Sequence, residues 1–423
     1  MSRAGTILND LVGRVADRGR SLLGTAPQGD VAQMCDTLLT GKGEATGLAL
    51  ARAIFDRYDA MSGGGKHAFF MMMRDRFGVD RARTERALQD WQQKGDDVLR
   101  GLHVASEPRS QELIRRLNRA PGGTRRLVAM RNDLLHVLAS DPALDGLDAD
   151  FRHLFTSWFN RGFLELQRIN WSTPANVLEK IIQYEAVHEI SGWDDLRRRV
   201  GAPDRRLYAF FHPALGDDPL IFVEVALTTD IPGSIGGILS AERQMLSPEK
   251  AQTAVFYSIS NCQTGLRGIS FGNFLIKQVV EELGREWPNL TTFVTLSPVP
   301  GLRRWALAQR DSLPQRLADA VDAAEAGERT AALSELAAHY MLIARNPRGG
   351  ATDPVARFHL GNGARLERIH RDADTSANGE KASWGVMVNY LYDLDTIERN
   401  HEAYSTADDI IAAPAVRRLI RSR

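Results

Sequence analysis

The chain has few cysteines, no excess of charge of either sign and no long apolar run. Its two cysteines, Cys35 and Cys262, are too few for a secreted disulfide framework or a structural zinc site, and they predict a reducing, cytoplasmic location. Lys+Arg and Asp+Glu number 53 each, so no nucleic-acid partner is expected. The apolar run that begins at Leu220 is about half as long as a membrane span, and Glu224 interrupts it. No membrane partner is expected either.

What the chain does contain is typical of folded globular proteins. It has 423 residues, of which 43% are hydrophobic and 25% charged, and this length allows two or three domains. Up to about residue 160 the apolar spacing is helical, which predicts an all-α domain over residues 1–159. For the first residues we expect an amphipathic helix, with an organellar transit peptide as the alternative.

Two stretches show the helical spacing of this N-terminal region. Thr124 is a candidate N-cap, and it precedes one apolar stripe, formed by Leu127, Met130, Leu134 and Val137. Asp148 is predicted to open another helix, whose buried face carries Phe151, Phe155, Phe159 and Phe163.

Beyond residue 160 the pattern changes to short strands and single helices. Strands are predicted at 206–211, 220–227, 253–260, 291–296, 358–360 and 384–392. A helix over 274–283 joins the third strand to the fourth and predicts a βαβ unit. Residues from about 302 to 345 are rich in Ala, Glu, Arg and Leu, which predicts a helical insertion. Residues 160–423 therefore form a second domain, and the whole chain is expected to be α+β.

A glycine-bearing loop lies between the strand over 253–260 and the following helix. Its exposed backbone N–H groups and the helix start favour pyrophosphate binding, and Arg267 supplies a fixed cation. The loop resembles the Gln/Arg-x-x-Gly-x-Gly/Ala loop of the acetyl-CoA-dependent N-acetyltransferases. The alternative is a tight turn that binds no ligand. The loop consists of Arg267, Gly268, Ile269, Ser270, Phe271, Gly272 and Asn273.

Two further positions are candidates for chemistry. Ser297 follows a predicted strand and precedes two prolines, which places it on a rigid element, although it could merely cap the turn. His359 stands before a Gly-Asn-Gly turn that lets backbone approach a ligand, although an isolated histidine is often structural. The ten histidines include no metal-binding spacing, so no metal is expected.

Taken together, these stretches resemble the malonyl-CoA decarboxylase family. The matching text includes EKIIQYEAVHEISGWDDLRRRV from Glu179, HPALGDDPLIFVEVALT, LRGISFGNFLIKQVVEELGREWPNL, LSPVPG, FHLGNGARLERIH and WGVMVNYLY. The resemblance implies an N-terminal helical oligomerisation domain followed by a catalytic domain of the N-acetyltransferase (GNAT) fold with a mixed sheet. It also implies malonyl-CoA as substrate, acetyl-CoA and CO₂ as products, no cofactor, and a homo-oligomer, either a dimer or a tetramer.

The resemblance also assigns roles to residues. The family's catalytic serine and histidine fall on Ser297 and His359, both expected to contact the substrate, and its tyrosine falls on Tyr392. The loop over 267–273 matches the CoA-binding loop, and Lys180 matches a lysine that matters in animal members. Those members carry a glutamate where Ser270 stands, so that glutamate's role does not transfer here.

Two other functions remain open on the sequence alone. An acyl-CoA-dependent acyltransferase would share the fold and the CoA loop but would need an acceptor. An acyl-CoA sensor would bind malonyl-CoA and leave it intact. Release of acetyl-CoA from malonyl-CoA alone distinguishes the decarboxylase from both.

Overall fold

The computed structural model describes residues 30–40, 43–269, 275–347 and 349–420. The helix or transit peptide expected at the N-terminus lies outside these residues. The chain divides into two compact units. The first runs to Glu165 and includes the segments that begin at Phe211 and Gln263, and the second contains the remainder. No helix in the described part of the chain is both long and apolar enough to span a bilayer.

The first unit is helical, as the apolar spacing predicts. Its buried aromatic side chains include Phe55, Phe70 and Phe77 as well as the predicted stripe at Phe151, Phe155 and Phe159. Its helices are α1 (Val31–Leu39), α2 (Glu44–Asp59), α3 (Gly63–Arg76), α4 (Arg81–Lys94), α5 (Leu99–Ser106), α6 (Arg109–Asn118), α7 (Gly123–Leu138) and α8 (Asp145–Trp158).

Three local expectations for this unit are wrong. Helix α7 starts after Gly122, whose φ of 67° suits glycine, and Thr124 lies inside the helix with its hydroxyl on Asn118. Helix α8 begins at Asp145 rather than Asp148. Since α8 ends at Trp158, the helical period does not reach Phe163, which is 54% exposed rather than buried.

The second unit is built on a mixed eight-stranded sheet. The strand order is β1-β2-β3-β4-β5-β8-β6, and β7 pairs with the other side of β8. Only β4 and β5 are parallel among the pairings described in register, and α12 (Leu275–Glu286) joins them, so the predicted βαβ unit is confirmed. The strands are β1 (Glu165–Ile169), β2 (Arg205–Phe211), β3 (Pro219–Thr228), β4 (Thr253–Asn261), β5 (Thr292–Thr295), β6 (Ser297–Pro298), β7 (Arg365–His370) and β8 (Met387–Leu391).

Helices follow and separate the strands of this sheet along the chain, as the sequence indicates. The predicted helical insertion is confirmed, because three helices occupy it: α13 (Leu302–Gln309), α14 (Gln315–Glu325) and α15 (Ala331–Leu342). The class is therefore α+β, a helical region followed by a mixed-sheet domain. The other helices of the unit are α9 (Ala175–Tyr184), α10 (Trp193–Gly201), α11 (Ile235–Leu239), α16 (Pro354–Gly361), α17 (Ala377–Ser383), α18 (Ile397–Ala407) and α19 (Pro414–Leu419).

The strand expected at 358–360 is the main error in this unit. These residues lie in the last turns of α16, which begins with the favourable pair of Asp353 as N-cap and Pro354 at the first helical position. The strand expected over 384–392 is shorter, because α17 ends at Ser383 and Trp384 takes a left-handed φ of 52° before β8 begins.

The core of the second unit lies where β3, β4, β5 and β8 run side by side. Apolar side chains of these strands, of α11 and of two connecting segments form one buried cluster, which fixes the ends of β5 and β8 relative to β4. Its buried members are Ala226, Ile235, Ile238, Val255, Tyr257, Val294, Leu296, Ala373 and Met387.

Candidate active site

Ser297 lies in the short strand β6, which pairs with β8 just before the chain leaves the sheet. It opens β6 and pairs with Val388 of β8, and Pro298 follows it. Thr295, two residues earlier, shares its face because side chains alternate along a strand. The Ser297 hydroxyl donates to Thr295 Oγ1 at 2.8 Å, and that oxygen also accepts from the Tyr390 N–H at 3.1 Å. The serine is thus held on rigid backbone.

His359 joins Ser297 to Tyr392 through its two ring nitrogens. Nε2 lies 3.2 Å from Ser297 Oγ, and Nδ1 lies 2.7 Å from the Tyr392 hydroxyl. The ring also stacks on Tyr390, with centroids 4.5 Å apart and planes inclined by 24°. Residues of α16 and β6 and the residue that follows β8 therefore meet in one hydrogen-bonded chain.

The whole array is buried, and burial determines its protonation. His359 is only 3% exposed, and loss of hydration lowers its pKa from 6.5 to about 3. The same cause holds the pKa of the Tyr392 phenol well above 10. At neutral pH the imidazole is therefore neutral and the phenol is protonated.

A cavity of about 230 Å³ lies against Ser297 and His359. Most of its walls are apolar, and none of the described residues that line it is a lysine or an arginine. An acyl group of a few carbon atoms would fit there with one end at the serine and histidine. The lining residues are Val187, Phe256, Tyr257, Ser258, Ile259, Asn261, Ser297, Pro298, Pro354, Val355, Phe358 and His359.

A bulge in β4 forms one wall of this cavity. The β3–β4 register shifts after Glu224, which leaves Tyr257 as the extra residue. Next to it, the Ser258 hydroxyl donates to the buried Glu185 carboxylate, with its oxygen 2.9 and 2.8 Å from Oε1 and Oε2. Glu185 also accepts the Val187 and His188 N–H groups, each at 2.8 Å. This network fixes the segment before α10 against β4.

The predicted site residues fall into three groups, and Lys180 is a separate case. Ser297, His359 and Tyr392 are brought together. Arg267 is exposed, its carbonyl accepts from Arg131 at 3.0 Å, and Gly268 is exposed while Ile269 is buried. Residues Ser270, Phe271, Gly272 and Asn273 lie outside the described residues, so the CoA loop stays a prediction. Lys180 lies half-buried on α9 and is not among the residues lining the cavity.

Three residues of the site were not predicted from the sequence: Thr295, Tyr390 and Glu185. Thr295 and Tyr390 each stand two residues before a predicted site residue, Ser297 and Tyr392, so strand alternation could have indicated them. Glu185 lies in the matching text EKIIQYEAVHEISGW, but no spacing rule connects it with Ser258, 73 positions away.

Models of two protein-family domains match the chain. The model described as the malonyl-CoA decarboxylase C-terminal domain matches residues 162–423, and the one described as the N-terminal domain matches residues 77–159. The mitochondrial malonyl-CoA decarboxylase of Anser anser anser is 36% identical over 410 residues, which cover 85% of this chain and 81% of that protein.

Solved structures of malonyl-CoA decarboxylases are also similar to this chain. The crystal structure of the enzyme from Rhodopseudomonas palustris is 52% identical in sequence, with a TM-score of 0.88, and the match covers 92% of this chain and 98% of that chain. The one from Agrobacterium vitis is 50% identical, with a TM-score of 0.86, over 93% of this chain and 100% of its own.

Proposed function

Since this chain belongs to the malonyl-CoA decarboxylase family and is a malonyl-CoA decarboxylase, we propose that Ser297, His359 and Tyr392 carry the reaction. The observation that supports this assignment is the approach of Ser297 Oγ to His359 Nε2, 3.2 Å apart at the wall of an apolar cavity. The proposal extends to the proton transfers, the CoA contacts, the assembly and the location of the enzyme.

The substrate carries its own electron sink. When the bond between the α-carbon and the carboxylate breaks, its electron pair moves onto the thioester carbonyl and CO₂ leaves. The resulting enolate bears negative charge on the thioester oxygen. The protein must therefore orient the carboxylate, donate hydrogen bonds to that oxygen and protonate the α-carbon.

Hydrogen bonding along the array supplies the donors. The protonated Tyr392 phenol donates to His359 Nδ1, so Nε2 carries the ring proton and points toward Ser297. The thioester oxygen accepts from the His359 N–H and the Ser297 O–H as its charge develops. One such preorganised donor is worth about 3 to 4 kcal/mol in comparable sites.

His359 then delivers the proton to carbon. The Nε2–H bond breaks, a C–H bond forms at the α-carbon, and the enolate electrons return to the new bond. The Tyr392 proton moves to Nδ1, so the ring stays neutral. After acetyl-CoA leaves, solvent reprotonates Nε2 from the cavity and the Nδ1 proton returns to the Tyr392 oxygen. No step needs an imidazolium, which agrees with the lowered pKa of His359.

The lining of the cavity destabilises the malonyl carboxylate relative to CO₂ and so favours decarboxylation. The described lining offers no cationic side chain to pair with the malonyl carboxylate, and apolar residues such as Phe256, Ile259 and Val355 displace its water. A poorly solvated carboxylate is less stable than the neutral CO₂ that it becomes. The substrate's CoA portion must then supply the binding energy.

Binding of the CoA pyrophosphate is assigned to the loop that starts at Arg267. The exposed Arg267 side chain supplies a fixed cation, and Arg131 braces the preceding backbone through the carbonyls of Gly265, at 2.7 Å, and Arg267, at 3.0 Å. Backbone N–H groups of the loop, from Gly268 to Asn273, complete the phosphate contacts in this proposal.

A cytoplasmic homo-oligomer, a dimer or a tetramer, completes the proposal. Both cysteines are buried thiols, as suits a reducing compartment. The curated goose relative is named as mitochondrial, so cell fractionation with markers for both compartments is the test of location. Light scattering of the purified chain measures the assembly.

The chemistry is tested by incubating the purified enzyme with malonyl-CoA in D₂O without an acceptor. Mass spectrometry should show acetyl-CoA with one solvent-derived deuterium per molecule, because one exchangeable proton replaces CO₂. Intact malonyl-CoA would indicate a sensor, and turnover that requires an added acceptor would indicate an acyltransferase.

A further inference from the structure

Asp353 lies between the two segments that carry Ser297 and His359, although its side chain contacts neither residue in the hydrogen-bonded array. It is 1% exposed and immediately precedes α16. Its two carboxylate oxygens accept hydrogen bonds from different parts of the fold. One carboxylate therefore connects the segment that carries Ser297 with the helix that carries His359.

One oxygen fixes the start of the helix that carries His359. Oδ1 accepts from the N–H groups of Val355, at 2.9 Å, and Ala356, at 3.1 Å. These are N–H groups that a helix cannot satisfy by itself. Because α16 has only eight residues, a shift at its first turn is passed to His359 in its last turn.

The other oxygen holds the turn that follows Ser297. Oδ2 accepts from the Gly301 N–H at 3.3 Å and from the Tyr340 hydroxyl at 3.3 Å. Between Ser297 and Gly301 the chain contains Pro298 and Pro300, whose fixed φ angles limit its freedom. The position of Gly301 therefore constrains the position of Ser297.

The contact is also closely packed. A Cβ at Gly301 would lie 2.3 Å from the Tyr340 hydroxyl oxygen and 3.4 Å from Asp353 Oδ2. A larger residue would push the turn away from the carboxylate. Glycine at this position lets the serine segment reach the same side chain that caps the histidine helix.

We propose that Asp353 is a positioning residue that sets the separation of Ser297 Oγ and His359 Nε2. It acts through Gly301 on one side and through α16 on the other. The inference rests on the proposed roles of Ser297 and His359. It adds a carboxylate to the residues on which turnover depends, at a place where it touches no reacting atom.

The main test is Asp353→Asn. The amide has nearly the same shape but offers one acceptor oxygen, so either the helix cap or the Gly301 turn faces an N–H₂ group. Small misplacements of reacting groups cost up to about 100-fold in rate. We expect kcat to fall by roughly 10- to 100-fold, while KM for malonyl-CoA changes less than about 2-fold, in protein shown by circular dichroism to be folded.

Ser376→Ala is the matched control. Ser376 caps α17 in the same unit by accepting from the Gly379 N–H at 3.1 Å, and the hydrogen bonds described for it do not reach the turn after Ser297. This variant loses a helix cap and should lose stability, but its kcat should stay at the wild-type value. Tyr340→Phe, which removes one donor from Asp353 Oδ2 and keeps the cap, decides the matter if Asp353→Asn does not fold. It should lower kcat and leave KM unchanged.

Combination with Ser297→Ala separates this inference from the proposed function. If Asp353 acts by aligning the pair, most of its effect on kcat disappears once Ser297 is absent. Wild-type kcat in Ser297→Ala alone would overturn the proposed catalytic role of the serine. If Ser297→Ala has a low kcat but folded Asp353→Asn has the wild-type kcat, only the role of Asp353 is overturned. If Asp353→Asn does not fold, a wild-type kcat in Tyr340→Phe overturns that role instead. Equal losses from Asp353→Asn in both backgrounds would do the same.

Discussion

Both ring nitrogens of His359 face hydroxyl groups, those of Ser297 and Tyr392, in the part of the chain that the structure describes. A carboxylate partner would stabilise the imidazolium and raise the pKa of the histidine, whereas hydroxyl partners leave burial to lower it. The residue is thereby suited to donate an N–H hydrogen bond rather than to act as a base. This distinguishes the array from a serine hydrolase triad.

The titration of His359 should be visible in the stability of the enzyme. Its pKa is about 3 in the folded state and 6.5 in the unfolded chain, so only the unfolded state binds the proton between these values. The contribution of His359 to the free energy of unfolding has its full value above pH 6.5, and it decreases as the pH falls toward 3. At pH 5 the loss is about 2 kcal/mol.

Urea unfolding of the wild type and of His359→Asn at pH 7.5 and pH 5 measures this effect. The wild type should lose about 2 kcal/mol more than the variant over this interval. Equal losses would contradict the lowered pKa. So would an inflection of kcat near pH 6.5 in the wild type.

Removal of the histidine tests its chemical role. His359→Asn should lower kcat by roughly 10²- to 10⁴-fold with little change in KM, since the ring acts in the transition state. Ser297→Ala should also lower kcat, and the double variant should lose much less than the product of the two effects. A near-normal kcat in well-folded His359→Asn, with only a lower melting temperature, would mean that the histidine is structural.

Arg267 should act on affinity rather than on turnover. Arg267→Ala should weaken binding of CoA and malonyl-CoA by roughly 1.5 to 3 kcal/mol, because one charge-assisted contact to phosphate is lost. Titration calorimetry with CoA measures this loss of binding free energy. Arg81→Ala, which removes an exposed arginine at the start of α4, should bind CoA like the wild type. Unchanged affinity in Arg267→Ala would exclude this residue from the site.

At the scale of helices and strands, local patterns predicted the sheet better than the site. The run TAVFYSIS became β4, and LIFVEVAL lies within β3, because continuous apolar residues rich in strand formers are buried on both faces. The short apolar run at Phe358–Leu360 has no readable period, and here the helix signal was the Asp353–Pro354 pair five positions earlier.

The remaining features of the site could not be predicted from local patterns. The separation of Ser297 and His359 depends on contacts between segments 62 positions apart. The family resemblance, rather than periodicity, brought these two residues and Tyr392 together in the prediction. The roles of Glu185 and Asp353 could not be predicted in this way, because the partners that connect them to the site, Ser258 and Gly301, lie 73 and 52 positions away in sequence.

Gly265 tests how closely the segment before Arg267 is packed in the helical unit. A Cβ at this position would lie 2.0 Å from the carbonyl oxygen of Val128 in α7. Gly265→Ala should therefore cost about 1 to 3 kcal/mol or more of stability and should displace Arg267, where the proposed CoA loop starts. Thermal unfolding measures the first effect and the KM for malonyl-CoA the second.

Gly284→Ala provides the control for that substitution. Gly284 lies inside α12 with no atom within 4 Å of an added Cβ, and alanine favours helix there by up to about 1 kcal/mol. This variant should be as stable as the wild type or more so. A melting temperature of Gly265→Ala equal to that of Gly284→Ala would show that the backbone near Val128 moves freely.

At the scale of the whole molecule, the helical unit contains more than the N-terminal residues. Its later segments are bound by N-terminal groups: His212 Nε2 lies 3.1 Å from the Trp158 carbonyl, and Arg131 donates to the Gly265 carbonyl. The boundary expected between residues 159 and 160 therefore stays a prediction, since the helical unit also contains the segments that begin at Phe211 and Gln263.

Deletion of residues 1–159 should disrupt assembly and solubility. It would expose apolar side chains such as Leu215 and Leu266, which are buried in the helical unit. Size-exclusion chromatography with light scattering, together with the malonyl-CoA assay, measures the outcome. A soluble truncated protein with the same oligomer mass and full activity would contradict this division of roles.

The chain returns to the helical unit at Phe211 and again at Gln263, and this limits where two homologous genes can be joined to give a folded chimera. A chimera of two homologues joined at residue 160 would pair the α7 of one parent with the Gly265 segment of the other. Since the fit at Val128 leaves no room for even a methyl group, differences between the parents at this contact should destabilise the helical unit of the chimera. An exchange of the helical unit should therefore transfer all three segments together, although they are not contiguous in the gene.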